Sequence, residues 1–480
     1  MTDVTNGLDT LAKKPDHVPD HLVFDFDMYE DPRIKDDVQL GYMSLHRDAP
    51  DIFWSPRDGG RWMATRYEDV CAIATDTATF SSKGQTAARE EGELPLPPQT
   101  MDPPEHLRYR LLLMKFLSPK SLKQQQGFVR DLAIDLIEKL KGRNSCEFRK
   151  EIAVVLPVTV FMTIMGWDTS RLYDMVSWVP NITDGRSSEV RVAAFTRMSE
   201  FVSQVVKDRI AHPGDDPISL LLASEVDGKK LDPQQVEQMT HLLFLAGLDT
   251  VTNAMTFSMH YLASDPALQD RLRAHPEDIP KAVEEFLRRF SFVVTYRRVT
   301  KDTVYKGVFM KEGDMINCSL PGGSNDPRIV PDPQKIDIDR KGAPNLAFNT
   351  GPHACVGAPL ARTELRILLE EWFARMPNVS LAPGYVAPRL GGSIWCGITE
   401  RCGLGSCPSD LTAIRPPWPL GSARSVSIAF VDAGVRSVAR SHRRLGFTQG
   451  GVAAGIGVNR YARTGSGSEA KPVWSDHERA

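Results

Sequence analysis

The 480-residue sequence has no surplus of positive charge: 58 Lys and Arg face 61 Asp and Glu, a formal net charge of -3. A dedicated nucleic-acid binder needs a basic excess to meet phosphates, so that class is set aside. Long hydrophobic runs are missing as well. The longest, Ile152 to Trp167, is interrupted by Pro157 and falls short of the ~20 residues that span a bilayer. Mean hydropathy is -0.27, and no membrane partner is expected. Met1 to Pro19 is polar and charged without an apolar stretch, so no secretory signal is expected and the cytoplasm is the default address. Cysteines are few and scattered, seven in all, unlike a disulfide framework. Neither a four-cysteine iron–sulfur spacing nor a G-x-G-x-x-G dinucleotide turn occurs, so any electrons the chain uses must come from outside.

What is present reads as an ordinary globular chain, 41% hydrophobic, 8% aromatic and 25% charged. Its charge is uneven. From Arg401 onward ten Arg and one Lys stand against five acids, Gly, Ser and Ala are abundant, and no helical or strand period is sustained. Residues 401–480 are therefore expected to be an atypical, disordered Arg/Gly-rich tail. Translation past a frame change in GC-rich DNA would leave the same bias. Residues 1–20 are expected to be a flexible N-terminus, leaving 21–400 as one large domain. Within it, Asp232 as N-cap, Pro233 at N1 and Gln235 at N3 open a helix expected to run to Ser264. At 1.5 Å per residue it is roughly 48 Å long, enough to cross the domain. A second helix begins near Pro359, with Ala361, Leu365, Leu368, Leu369, Trp372, Phe373 and Met376 on one face. A third, after Pro280, buries Val283, Phe286 and Leu287. Strand-like runs are short: Trp62 to Arg66, Phe292 to Val299 and Asp314 to Ser319. The expected class is mainly α with small β-sheets.

The most informative segment is Phe348-Asn-Thr-Gly-Pro-His-Ala-Cys-Val-Gly-Ala-Pro-Leu-Ala-Arg362. Cys355 sits between Gly351 and Gly357, just ahead of the Pro359 helix. Glycine lets backbone approach a flat ligand, and amides near a helix N-terminus donate to a thiolate and lower its pKa. A thiolate held in that way, with one face free, suits ligation to haem iron. A lone cysteine is more often a buried structural residue. Zinc is a further option with His353 beside Cys355, but the C-x2-C and H-x3-H partners are missing.

The segment resembles the cysteine loop of the cytochrome P-450 family, the haem-thiolate monooxygenases, and the likeness runs from about residue 18 to Glu400. It implies the cytochrome P-450 fold, a single large domain with the long central helix over haem b and Cys355 as axial ligand. Three further motifs carry the resemblance. Glu285-Phe-Leu-Arg288 alone would be a surface ion pair worth a few tenths of a kcal/mol. The family likeness makes it a buried pair completed by Arg340, after Asn325-Asp-Pro and Pro331-Asp-Pro. Ala246-Gly-Leu-Asp-Thr250 combines a mid-helix glycine with a threonine able to bond the Ala246 carbonyl, which loosens the helix. There the resemblance implies an acid–alcohol pair, with Thr250 and Asp249 guiding protons to dioxygen. Lastly, His106, Arg110, Arg297 and His353 match ligands of the two haem propionates, while Phe348, Gly351 and Gly357 shape the loop against the porphyrin.

Among bacterial members the closest likeness is to the camphor-hydroxylating subgroup, through His21-Leu-Val-Phe-Asp-Phe-Asp-Met28, Gly247-Leu-Asp-Thr250 and Glu284-Glu-Phe-Leu-Arg-Arg-Phe-Ser291. Arg89 to Met101 lacks the tyrosine that would meet a camphor ketone, and Thr295 replaces an acid. Leu94, Leu242, Leu245, Ala246, Val293, Thr295, Ile394 and Trp395 are expected to form a mostly apolar pocket for a terpenoid or norisoprenoid. The expected C-terminal strand after Gly397-Ile-Thr-Glu400 gives way to the arginine-rich tail. The resemblance further implies O2 as co-substrate, a ferredoxin and an NAD(P)H-dependent ferredoxin reductase as donors docking near Arg110, and a monomer. Two alternatives stand beside it, a peroxide-driven haem-thiolate enzyme and a haem gas sensor.

Overall fold

Asp232 and Gln235 cap each other reciprocally: the Asp232 carboxylate accepts from Gln235 N at 2.8 Å, and Gln235 Oε1 accepts from Asp232 N at 3.1 Å. With Pro233 at the first helical position, this start is fixed by local chemistry alone. The computed structural model describes residues 11–84, 95–183, 188–382 and 427–430. In it the helix opened by Asp232 runs over Pro233–Leu248 and continues as Thr250–Leu262. The expected single rod is thus broken at Asp249, whose φ is -111°. The cause is local: Thr250 Oγ1 donates to the Ala246 carbonyl at 3.0 Å, and Gly247 admits the Phe161 ring, which a Cβ there would meet at 2.6 Å.

This central helix joins two hydrophobic cores. Val236, Met239, Leu243, Phe244 and Leu248 belong to one, with Trp167, Trp178 and Met198. Ala254, Met255, Phe257, Met259 and Leu262 belong to the other, with Phe286, Trp372 and Phe148. Over Pro233–Leu262 the helix is long and apolar enough to cross a bilayer, yet 61% of its apolar window is buried inside the fold. The two other expected helices occur as Ala358–Arg375 and Ile279–Arg289.

The main sheet places Ile52–Ser55, Arg61–Ala64, Met315–Ser319, Val294–Val299 and Phe80–Ser81 side by side in that order. Only the Met315–Ser319 and Arg61–Ala64 pair is parallel, with Ile316 opposite Trp62. All three expected strands are present, each shorter by one or two residues than its apolar run. A smaller sheet has Ser427–Phe430 at its centre, antiparallel to both Val379–Leu381 and Ser145–Glu147. That strand lies inside the stretch expected to be coil. Ile428 is fully buried in the larger core, so apolar burial overrides the polar, arginine-rich surroundings. Tertiary contacts gather Met1–Ala433 into one unit, to which every described residue belongs.

Candidate functional site

The cysteine loop is shaped by two left-handed residues, Asn349 at φ 58° and Gly351 at φ 68°. A Cβ on Gly351 would lie 2.9 Å from Thr75 Cγ2 and 3.1 Å from the Ala74 carbonyl, so both conformation and space demand glycine. The loop closes where Cys355 N donates to the Phe348 carbonyl at 2.8 Å, and the Arg362 guanidinium covers the Phe348 ring at 4.5 Å. A Cβ on Gly357 would meet only the Cys355 sulfur, at 3.8 Å. Protein encloses Cys355, yet its side chain is accessible, so the sulfur faces open space within the fold.

Burial pushes the Cys355 thiol up, against the lowering effect of the Gly357 and Ala358 amides, Arg110 and Arg362. This reverses the expected direction. Desolvating a thiolate costs more than two amide donors return, and a bound cation is what tips a buried thiol to the anion. Among the described residues no group of three or more His, Cys, Asp or Glu is placed to hold a metal ion, so the zinc option at His353 and Cys355 finds no further ligands there.

Beside the loop, basic side chains converge with few partners. Arg297, wholly buried, donates Nη1 to its neighbour's carbonyl at 2.7 Å while its Nε and Nη2 have no partner. His353 is buried and its Nε2 is likewise unpartnered. The His106 and His353 rings lie 4.2 Å apart, and Arg110 Nη2 donates to the Ala354 carbonyl at 2.5 Å. Burial, helped by Arg297, His106 and Arg110, drives His353 down to about 2, and burial with Arg110 takes His106 to about 4. Asp102, the acid these groups feel, is taken up by Ser81 Oγ and Ser82 N. A buried guanidinium with two orphaned donors, beside two imidazoles and a second arginine, calls for an anion of more than one charge. The two propionates of haem b fit that donor set, and the accessible sulfur fits its iron.

On the other side, Asp249 is held from two directions. Its Oδ1 faces Arg149 Nη2 at 3.4 Å and its Oδ2 accepts from Asn253 Nδ2 at 2.9 Å. Arg149 starts a one-turn π-helix, Arg149–Ala153, and its Nε has no partner. Sequence reasoning missed this arginine, since a single Arg ahead of an apolar run carries no signal. Leu242, Leu245 and Ala246 lie part-exposed on the central helix near Thr250. Thr295 and Arg297 share one face of the strand Val294–Val299, Val293 precedes it, and Thr295 Oγ1 is buried against the Cys318 thiol opposite. Leu94, Ile394 and Trp395 lie outside the described residues.

Behind the loop, the buried Glu285 carboxylate accepts from Arg288 Nη2 at 2.7 Å, Arg288 Nε at 2.8 Å and Arg340 Nε at 3.2 Å. Arg288 Nη1 reaches on to Asn325 Oδ1 at 2.9 Å and the Pro333 carbonyl at 3.0 Å. The knot pins the segment before the cysteine loop to the helix Ile279–Arg289.

Comparison with known proteins agrees with this geometry. The cytochrome P450 family model matches residues 137–277 and 279–375. A probable cytochrome P450 127A1 of Sinorhizobium fredii is 34% identical over 391 residues, covering 79% of this chain and 94% of its own. The vitamin D(3) 25-hydroxylase of Pseudonocardia autotrophica is 28% identical over 72% of this chain and 87% of its own. The crystal structure of CYP101J2 superposes with a TM-score of 0.75 at 30% identity, over 88% of this chain and all of that one (100%).

Proposed function

Because this chain belongs to the cytochrome P450 family, whose members are monooxygenases that bind haem b through a cysteine thiolate, we propose that it hydroxylates a small, mostly apolar molecule, a terpenoid or norisoprenoid, with O2 and electrons from a ferredoxin. The observation that carries the reading is the set of orphaned donors on Arg297 and His353 beside an accessible Cys355.

In this reading Cys355 would ligate the haem and Arg297, His353, His106 and Arg110 would hold its propionates. Bound there, haem b would supply dioxygen activation and C–H oxidation, the thiolate favouring O–O cleavage. The chain's own residues position and protonate. Thr250 Oγ1, already turned along the helix groove toward the Ala246 carbonyl, holds a water and passes its proton onward. Asp249 replenishes that proton. Its Arg149 contact and its bond from Asn253 hold the side chain in place until it turns toward Thr250, relaying a proton taken up from solvent. Leu242, Leu245, Ala246 and Val293 exclude bulk water and hold an apolar skeleton by shape. Glu285, Arg288 and Arg340 keep the loop segment rigid and touch no substrate.

Electrons enter on the cysteine side. The helix Glu105–Leu117 carries Arg110 and exposes Leu107, Leu111 and Met114 on its outer face. An acidic ferredoxin with an apolar centre suits that surface, supplied by an NAD(P)H-dependent reductase in the cytoplasm to a monomeric enzyme. The test is reconstitution with a ferredoxin and its reductase: terpenoid-dependent NAD(P)H oxidation with a hydroxylated product supports the reading. Haem binding without any product across a terpenoid panel, while peroxide alone drives turnover, would replace it with the peroxide-dependent alternative.

A further inference from the structure

The central helix buries a histidine that the reaction does not use. His241 is 7% exposed, and neither of its ring nitrogens has a partner. Its ring packs on Phe195 at 5.6 Å, on the facing helix Ser188–Ala211. One turn along that helix from Phe195, Ser199 Oγ is also buried and unpartnered. The two helices therefore present three unmet hydrogen-bonding atoms in a region otherwise lined by aromatic and aliphatic groups. A leucine would fill the site without leaving donors and acceptors unmet.

Position gives the orphan a use. His241, Leu245 and Asp249 follow one another at i, i+4 and i+8, so His241 stands on the stripe that leads down to the acid–alcohol pair. Nine residues separate it from Thr250, roughly 13 Å along the axis. A bicyclic sesquiterpenoid, hydrogen-bonded at one end and oxidised at the other, comes near that span once the hydrogen bond at the anchor is included.

We propose that His241, with Ser199, anchors a single oxygen, a ketone or hydroxyl, on an otherwise apolar substrate, and so selects oxygenated terpenoids over hydrocarbons. The inference rests on the monooxygenase reading and narrows its substrate class. Burial alone, with no charged neighbour, takes His241 down to about 4, so near neutral pH the imidazole is uncharged. It then offers one donor and one acceptor, a match for a hydroxyl and, through the donor alone, for a ketone.

The experiment titrates the haem-loaded ferric protein with two matched pairs, limonene against carvone and valencene against nootkatone, following the Soret spin shift. The expected result is a Kd about tenfold lower for the ketone in at least one pair. That preference should vanish in His241→Leu, persist in His241→Gln and weaken in Ser199→Ala. Equal affinities within both pairs, or a preference that survives His241→Leu, would overturn the anchor. So would the absence of any spin shift from protein whose ferrous–carbonyl spectrum shows thiolate ligation. Loss of that spectrum from the wild type would instead remove the monooxygenase reading beneath it.

Discussion

At Cys355 two effects oppose each other: burial favours the neutral thiol, while amides and arginines favour the anion, and burial dominates. The motif was legible because glycines and a helix start surround the sulfur in the sequence. The direction of the pKa was not, because desolvation depends on packing that no local pattern encodes. Arg149 and His241 were invisible for a related reason, since each acquires its meaning only from a partner far along the chain. Thr250→Ala should leave NADH and O2 consumption running while hydrogen peroxide replaces most product, measured as the product-to-NADH ratio. Equal ratios in mutant and wild type would remove Thr250 from its role. His241 gives a stability test with a defined sign. Burial takes its pKa down to about 4, below the ordinary imidazole value of 6.5, so it contributes stability that is complete above the latter and lost as pH falls between the two. His241→Leu should therefore flatten the fall in unfolding free energy over that window by about one proton's slope, read from denaturant melts. Parallel curves would show the ring to be solvated.

At the scale of elements, helix starts were the most legible feature. Asp232, Pro233 and Gln235 write theirs within four residues. The break at Asp249 was foreseen only as loosening, because its extent depends on the Phe161 ring that Gly247 admits. The strand Ser427–Phe430 was missed: four residues are too few for a period, and Ile428 is buried by partners remote in sequence. Ile428→Ala should cost about 2–4 kcal/mol, measured by denaturant unfolding, if the strand completes the sheet as described. A change under half a kcal/mol would place that stretch outside the folded unit. Gly351→Ala should be worse for the site than for the fold. Its left-handed φ and the contact with Thr75 shift the cysteine loop, and the expected outcome is faster haem loss to apomyoglobin with helical content retained.

Across the whole molecule, the fold class was readable from helix signals and short strands, and the family from a few motifs. Assembly was not readable: the central helix links two cores, and basic groups from the helix Glu105–Leu117, a sheet strand and the cysteine loop meet at one place. One measurement bears most directly on that convergence, the carbon monoxide difference spectrum of the reduced, haem-reconstituted protein beside Cys355→Ser. The wild type should show the far red-shifted Soret band of a thiolate-ligated carbonyl haem, and the serine variant should lose it while remaining folded by circular dichroism. A wild-type band at the position of a neutral-ligand haem, or one unchanged by the substitution, would contradict the account.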